Sequence, residues 1–271
     1  MPDDPERLHR IAEGREAEIF AWEAGKVLKL YRSRSDAPSA EWEAAATAAV
    51  VAAGGRAPHP FGLVTVRERP GLILEHVDGP DLVTIMARKP WTVRSAGELM
   101  GRAHVALHAV IAPTTLPTTR EHLERRIRRA GGPVSWQDAA LRRLEALPDG
   151  DRLCHNDFHP QNVLLTAEGP IGIDWPAATR GDPAADVART VLLLTVGAPL
   201  PSAPLRVRLL APVMIGLLRR SYLAAYRATR PLTDASLRAW LLPQAIARLA
   251  ESIPGERGRL DRLIQSLVED R

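Results

Sequence analysis

The sequence predicts an α+β chain in two lobes, a small antiparallel sheet with one helix over residues 1–78 and a larger, mostly helical lobe over 79–271. Three observations carry this reading. Up to Val77, short apolar or alternating runs are broken by Gly14, Gly25 and Arg69-Pro70-Gly71, the punctuation of strands joined by tight turns. After Asp78-Gly79-Pro80 the apolar spacing becomes helical almost to the C-terminus. β character returns once, within Arg152 to Trp175.

In the first lobe, Leu8 to Tyr31 reads as strands. WEAGKVLKLY is a hairpin that turns at Ala24-Gly25-Lys26 and returns along Val27 to Tyr31. Ser39 to Ala53 is Ala-rich and helical, with Ser39 as N-cap, Glu41 and Glu43 in the first turn and Gly54-Gly55 as the stop. Gly62 to Arg67 and Gly71 to Val77 are strands, giving the order β-β-β-α-β-β.

In the second lobe, Asp81 caps a helix over Leu82 to Ala87, and Glu98 to Val110 forms a longer one that ends before Pro113 and Pro117. Two basic helices follow, Arg120 to Ala130 and Trp136 to Leu147, stopped by Pro148-Asp149-Gly150. Asn162 to Thr166 and Pro170 to Ile173 form a hairpin through Glu168-Gly169. From Pro183 to Arg271 the chain is helical, with stops at Pro199, Pro231 and Pro254. The apolar stretches Val191 to Leu200 and Leu209 to Leu218 are about half the ~20 residues of a membrane span and read as buried helices.

At 271 residues, 45% hydrophobic and 25% charged, the composition is that of a soluble globular protein, which excludes general disorder and a disulfide scaffold. Cys154 is the only cysteine, so no intrachain disulfide is possible. The segment MPDDPERLHR has neither the basic nor the apolar region of a secretory leader, and a cytoplasmic location is expected. The net charge of +4 comes from 36 basic and 32 acidic residues, of which only Lys26, Lys29 and Lys89 are lysine. Where arginine is the habitual cation, each lysine is a candidate for a position that needs a compact ammonium. Lys26, in a turn, and Lys89, beside Pro90, read as solvated.

Chemistry is densest in LCHNDFHPQNVLLTAEGPIGIDWP, residues 153–176. Asp157 opens a loop, Asn162 follows five residues later, and Asp174 ends the second strand of the hairpin. This unit brings two carboxylates and an amide to one end of a small sheet, a hard-oxygen set suited to magnesium. Asp157 is then left metal-free to orient an attacking hydroxyl and accept its proton. Taken singly, each acid has a plain alternative as a cap or turn residue, and His159 and Cys154 read as structural. The joint pattern H-x-D-x4-N, followed by an apolar strand ending in Asp and preceded by a β-rich lobe, is far more specific than its parts.

His155-Asn-Asp157-Phe-His-Pro-Gln-Asn162, then Ile171-Gly-Ile-Asp174-Trp175, then Gly181-Asp182-Pro-Ala-Ala-Asp186-Val-Ala-Arg closely resembles the aminoglycoside phosphotransferase and choline kinase-like family. The resemblance is strong over 153–190 and weaker at both ends. It implies a bilobal protein-kinase-like fold and an ATP- or GTP-dependent, magnesium-requiring transfer of a phosphoryl group to a hydroxyl of a small molecule. By it, Asp157 is the catalytic base, Asn162 and Asp174 hold Mg2+, His155 braces the catalytic loop, and Asp186 supports that loop from the start of a helix. Lys29 resembles the third-strand lysine that contacts the α- and β-phosphates, paired with Glu43 or Glu41, Glu43 being favoured by the small residues after it. The segment from Gly71 to Gly79 resembles the last strand and linker, where backbone groups around Glu75 to Val77 meet the nucleotide base. The phosphate-covering loop falls at Gly14 to Ala17, although GREAEIF holds one glycine instead of G-x-G-x-x-G.

Twelve positions separate Asp174 from Asp186, with Pro176, Gly181 and Pro183 between them, which leaves no platform for a peptide and favours a small acceptor such as an aminoglycoside-like antibiotic or another hydroxylated metabolite. Candidates for holding a cationic acceptor are Asp182, Glu251, Glu256 and Trp240. Arg120, Arg125, Arg126, Arg128, Arg129, Arg142 and Arg143 form a basic insert that reads as a solvated face partly paired with Glu121, Glu124 and Glu145, or as a wall favouring an anionic or neutral acceptor. Two other classes compete. One is a catalytically silent nucleotide-binding regulator, opposed by the joint presence of Lys29, Asp157, Asn162 and Asp174. The other is a nucleic-acid binder, opposed by an aromatic content of 4% and the lack of a recognised motif. No membrane or nucleic-acid partner is expected.

Overall fold

The structure is a computed structural model that describes residues 8–197 and 205–269. Its first lobe is a five-stranded antiparallel sheet, β1 (Arg10–Glu13), β2 (Ala17–Ala21), β3 (Lys26–Tyr31), β4 (Pro60–Val66) and β5 (Arg69–Glu75), in the order β1-β2-β3-β5-β4. Helix α1 (Ala37–Ala52) connects β3 to β4. Period-two alternation sorts β3 between the two faces. Leu28 and Leu30 pack with Phe20 and Val66 on one side, and Tyr31 packs with Ala17, Ala40 and Leu72 against α1 on the other. Lys29 lies between the two leucines in sequence and therefore shares the α1 face with Tyr31. On α1, the buried positions Ala40, Glu43, Ala46, Thr47 and Val50 recur at helical spacing, so Glu43 sits inside a stripe that is otherwise uncharged.

The helical lobe comprises α2 (Leu82–Arg88), α3 (Val93–Leu107), α4 (Thr119–Arg129), α5 (Val134–Glu145), α6 (Pro183–Val196), α7 (Leu205–Arg227), α8 (Asp234–Leu249) and α9 (Arg257–Glu269). Two short antiparallel pairs lie beneath the first lobe. One is β6 (Arg152–Cys154) with β9 (Thr179–Gly181), and the other is β7 (Val163–Thr166) with β8 (Gly169–Gly172). Helix α6 is buried on almost every face and forms the axis of the lobe. The linker between lobes is strapped to β7: the Leu165 amide donates to the Pro80 carbonyl at 3.0 Å, and Asp81 bridges Leu164. Gly79 makes the strap possible, since at φ 149° a Cβ would stand 2.2 Å from the Leu165 carbonyl oxygen.

Several local expectations are corrected. Helix α1 begins two residues before Ser39 and is entered from Asp36, with proline in its first turn, so Ser39 is not its cap. Helix α3 starts at Val93 rather than Glu98, and the β6 and β9 strands, three residues each, carried no periodic signal. Asp81 does cap α2, its side chain accepting from the Thr84 amide at 2.9 Å. Leu209 to Leu218 is not a buried helix, because Leu210, Val213 and Leu217 are exposed on α7. The stop expected at Pro199 lies outside the described residues, as does the MPDDPER start.

Helices α3 and α7 approach closely because Gly97 and Gly101 share one face of α3. A Cβ at Gly101 would lie 2.5 Å from the Tyr222 carbonyl oxygen and 3.0 Å from the Tyr226 nitrogen. Backbone, not a movable side-chain end, sets this limit. Gly101→Val is therefore expected to lower the unfolding free energy by about 1–3 kcal/mol through overpacking, read as a lower urea midpoint. A midpoint at or above that of the unsubstituted protein contradicts the packing account.

Candidate active site

The loop from His155 to Asn162 is fixed from below by Asp186 in the first turn of α6. The carboxylate is completely buried. Its Oδ2 accepts from the His155 amide, its Oδ1 accepts from the Asn156 amide at 2.8 Å, and Oδ2 also takes His104 Nε2–H at 3.0 Å and His108 Nε2–H at 3.2 Å. Tyr222 and Tyr226 complete the network, each hydroxyl hydrogen-bonded to the Nδ1 of one imidazole at 2.7 Å. Asp186 only accepts, so each imidazole carries a hydrogen on the Nε2 that faces it. Burial opposes the Asp186 charge, but the two imidazoles overcome it and hold the carboxyl well below its usual value. Burial pushes His108 down to about 3, which keeps it neutral.

Asn156 adopts φ 58°, the left-handed region that asparagine tolerates, and this bend turns Asp157 away from the hub. His155 ties the loop to the strand beyond β8. Its Nε2–H donates to the Ile173 carbonyl at 3.0 Å and its Nδ1 accepts from the Asp157 amide at 3.3 Å, while the ring lies tilted at 40° against Trp175. One imidazole therefore sets the spacing between Asp157 and Asp174. Asp174 itself is left-handed, at φ 68°. Asn162 donates from Nδ2 to the Asp157 carbonyl at 3.0 Å and to its Oδ2 at 3.1 Å. An amide so pinned turns its Oδ1 the other way.

Asp157 is partly exposed, and His159 approaches its Oδ2 at 3.5 Å. Burial works against its ionisation, but the His159 hydrogen bond and the nearby Arg189 charge prevail, holding the carboxyl well below the usual carboxylate range. Its Oδ1 makes no hydrogen bond among the described residues. Across the lobe junction, Lys29 Nζ donates to both carboxylate oxygens of Glu43 and to Asp174 Oδ1, each at 2.7 Å. The Tyr31 hydroxyl also donates to Glu43. Burial opposes the ammonium, and the two carboxylates outweigh it, raising Lys29 above its ordinary value. Glu43 is thus the partner of Lys29, and the exposed Glu41 is not.

Gly14, Arg15 and Glu16 turn β1 into β2, with the Gly14 amide spent on the Ala17 carbonyl at 2.9 Å. Gly14 is therefore not a free phosphate donor, and the tip of the turn falls to Arg15 and Glu16. In the linker, the Glu75 amide is spent on His59 and the His76 amide on Gly25, whereas Val77 makes no hydrogen bond to a described residue. Of the amides from Glu75 to Val77, that of Val77 is the one open to a base among the described residues.

The acceptor candidates fare differently. Trp240 is buried in the helical core and is not a cleft aromatic. Its Nε1 donates to Asp182 Oδ2 at 3.2 Å, while Asp182 Oδ1 accepts from the Ala184 amide at 2.9 Å, so both serve the start of α6. Glu251 is covered by three guanidiniums, those of Arg126, Arg189 and Arg248, and Glu256 accepts from Arg248 at 2.8 and 2.9 Å. Neither carboxylate is open to a cation. The basic insert is only in part a solvated face. Arg128 pairs with Glu124 at 2.6 Å, but Arg120 donates to the Leu147 carbonyl at 2.6 Å and Arg126 turns inward to Glu251. Arg189 and Arg248 went unread because a buried arginine in an apolar helix looks, in sequence, like any surface arginine.

Asp174 Oδ2 and Asn162 Oδ1 make no hydrogen bond among the described residues, and a carboxylate with an amide oxygen is the donor set of a hard divalent cation such as Mg2+. The residues fit such an ion. No described helix is long and apolar enough to cross a membrane.

Proteins of known structure share this fold. The model of the phosphotransferase enzyme family matches residues 7–232. A mutant of aminoglycoside phosphotransferase APH(4)-Ia, solved with AMP-PNP and hygromycin B, is 15% identical, covers 97% of this chain and 92% of its own, and superposes with a TM-score of 0.64. Aminoglycoside phosphotransferase APH(3'')-Id from Streptomyces rimosus is 18% identical over 88% and 92% of the two chains, with a TM-score of 0.56. Amicoumacin kinase hAmiN, solved with AMP-PNP and Ca2+, is 15% identical over 98% and 89%, with a TM-score of 0.62. No curated protein sequence matches.

The ammonium between two carboxylates generates a stability prediction. Lys29→Met leaves Glu43 buried with Tyr31 alone, at an expected cost of about 3–5 kcal/mol at pH 7. With the ammonium gone, burial raises the folded-state pKa of Glu43 above its unfolded value. That penalty is complete at neutral pH and is relieved as pH falls through the raised value. Urea melts of the variant and the unsubstituted protein should therefore converge on acidification, and a gap independent of pH would count against the pairing.

Proposed function

The chain belongs to the phosphotransferase enzyme family, and on that footing we propose that it is a small-molecule kinase carrying a phosphoryl group from ATP or GTP to a hydroxyl. The observation that carries this reading is that Lys29 meets Asp174 at 2.7 Å across the lobe junction and Asn162 meets Asp157 at 3.1 Å, the two pairs being tied through His155. Mg2+, held by Asp174 and Asn162, would neutralise charge on the nucleotide phosphates. The remaining work falls to side chains and backbone. Lys29 moves its ammonium from Asp174 to the phosphate oxygens while keeping Glu43, since three donors on one nitrogen serve both. The Val77 amide takes the base, and the Gly79 strap sets its depth.

Asp157 orients the acceptor hydroxyl with its unspent Oδ1, while Asn162 and His159 hold Oδ2. A carboxylate held below its usual pKa is a weak base, so its first role is alignment, and proton transfer follows as the oxygen–phosphorus bond forms. The same depression keeps Asp157 ionised throughout the neutral range. Positioning and charge neutralisation are the main sources of rate in such transfers. The similar proteins solved with hygromycin B or as an amicoumacin kinase support a small acceptor.

Asp157→Asn preserves shape and removes the proton acceptor. Turnover should fall by about 10²–10⁴-fold, while Mg-nucleotide affinity stays within about twofold of the unsubstituted protein. Undiminished phosphoryl transfer by this variant would refute the assignment.

A further inference from the structure

The acceptor side of the cleft bears on what kind of molecule the proposed kinase takes, and the argument below rests on that kinase reading. Arg126 on α4, Arg189 on α6 and Arg248 on α8 converge on the single carboxylate of Glu251. Arg189 also donates from Nε to the Asn156 carbonyl at 3.1 Å. Arg126 is thus separated by one carboxylate and one guanidinium from the residue that precedes Asp157. Three guanidiniums face two carboxylates, Glu251 and Glu256, so the cluster keeps an excess positive charge.

That excess is not evenly spent. Arg248 uses Nε, Nη1 and Nη2 on the two glutamates. Arg189 is nearly fully covered. Arg126 alone is substantially open, with 27% of its side chain exposed, and it donates only from Nη2. Its Nε and Nη1 make no hydrogen bond to a described residue. The charge of Asp157 acts on both Arg126 and Arg248 less than burial and the other charged groups around them do, and the structural link from Arg126 to the catalytic loop runs through Glu251 and Arg189. His122, on the same helix, is pushed down to about 3 by burial and the neighbouring arginines, so it adds no charge and accepts none. Arg15 at the tip of the β1–β2 turn donates to the Glu251 carbonyl at 3.4 Å while its other terminal nitrogen pairs with Glu16 at 3.3 Å.

We infer that the acceptor carries an oxyanion, a carboxylate or a phosphate, which Arg126 binds through its unspent nitrogens while the acceptor hydroxyl meets Asp157. A polycationic acceptor would find the opposite of what it needs. Glu251 and Glu256 are consumed by arginine, and Asp182 is consumed by the α6 terminus and Trp240. Desolvating an ammonium beside an excess guanidinium charge is unfavourable, whereas an oxyanion there gains charge-assisted hydrogen bonds.

The test uses four acceptors matched in size: glycerol, 3-amino-1,2-propanediol, glycerate and glycerol 3-phosphate, with hygromycin B as a fifth, polycationic probe. Phosphorylated product is followed with Mg-ATP and with Mg-GTP. The two anions should exceed the amine by at least tenfold in kcat/KM, and the ranking of glycerate against glycerol 3-phosphate identifies the oxyanion. Arg126→Ala should raise KM for the preferred anion at least tenfold while leaving nucleotide KM and the melting temperature unchanged, because Glu251 keeps Arg189 and Arg248. Arg126→Lys should recover part of the loss, and Arg126→Glu should reverse the preference between amine and anion. Preference for the amine or hygromycin B, or an Arg126→Ala variant with unchanged acceptor KM, overturns the inference and leaves the kinase reading standing. No product from any acceptor with either nucleotide overturns both.

Discussion

A single buried carboxylate holds this molecule's chemistry in place. Asp186 is fully enclosed in the helical lobe and accepts four N–H donors, two from the backbone of the loop above it and two from histidines, one in α3 and one at its C-cap. An unpaired charge at that depth would cost several kcal/mol, so the loop and α3 are constrained to bring their donors to it. The close approach of α3 and α7 at Gly97 and Gly101 delivers Tyr222 and Tyr226 to the far side of the same histidines. Packing and polar satisfaction therefore set one geometry together. From the fixed His155 and Asn156 amides, Asp157 is projected in one direction, and the His155 ring reaches across to Ile173 to set Asp174.

The second organising contact joins the lobes. Lys29 is the one cation between Glu43 of the first lobe and Asp174 of the second, and its three donors fit that task as a planar guanidinium would not. In a chain otherwise written with arginine, the choice of lysine here has a geometric reason. The linker strap at Gly79 and Pro80 is a further tie between the lobes, as are the bonds from Trp42 Nε1 to the Pro176 carbonyl at 2.7 Å and from Arg56 to the Glu168 carbonyl at 3.0 Å. The β1–β2 turn that roofs the cleft is held by Arg32, which donates to the Gly14 carbonyl at 2.7 Å and the Arg15 carbonyl at 2.9 Å.

Much of this was legible in the sequence. The pairing of Lys29 with Glu43 was legible through the family resemblance, in which a third-strand lysine meets a helix glutamate followed by small residues, and the cluster of Asp157, Asn162 and Asp174 followed from a loop, a hairpin and a strand end. The Asp186 hub was legible only as a supporting aspartate. Its partners His104, His108, Tyr222 and Tyr226 are brought together by helix packing, to which local spacing gives no access. The acceptor wall was misread for a related reason. Trp240 and Asp182 look like recognition residues in isolation, yet one is core and the other a helix cap. Conversely, Arg126, Arg189 and Arg248 come from three helices and acquire meaning only when Glu251 gathers them. Periodicity reports which face of an element is apolar, and it is silent on which distant charges meet.

The central claim is that Asp186 fixes the catalytic loop through its backbone amides, and amide hydrogen exchange at His155 and Asn156 tests it most directly. In the unsubstituted protein both amides should exchange only as fast as the α6 interior, through global unfolding. In Asp186→Asn, which keeps the shape and removes the charge, they should exchange at least tenfold faster while Val187 to Leu192 stay protected. Unchanged protection of His155 and Asn156 in that variant would contradict the account.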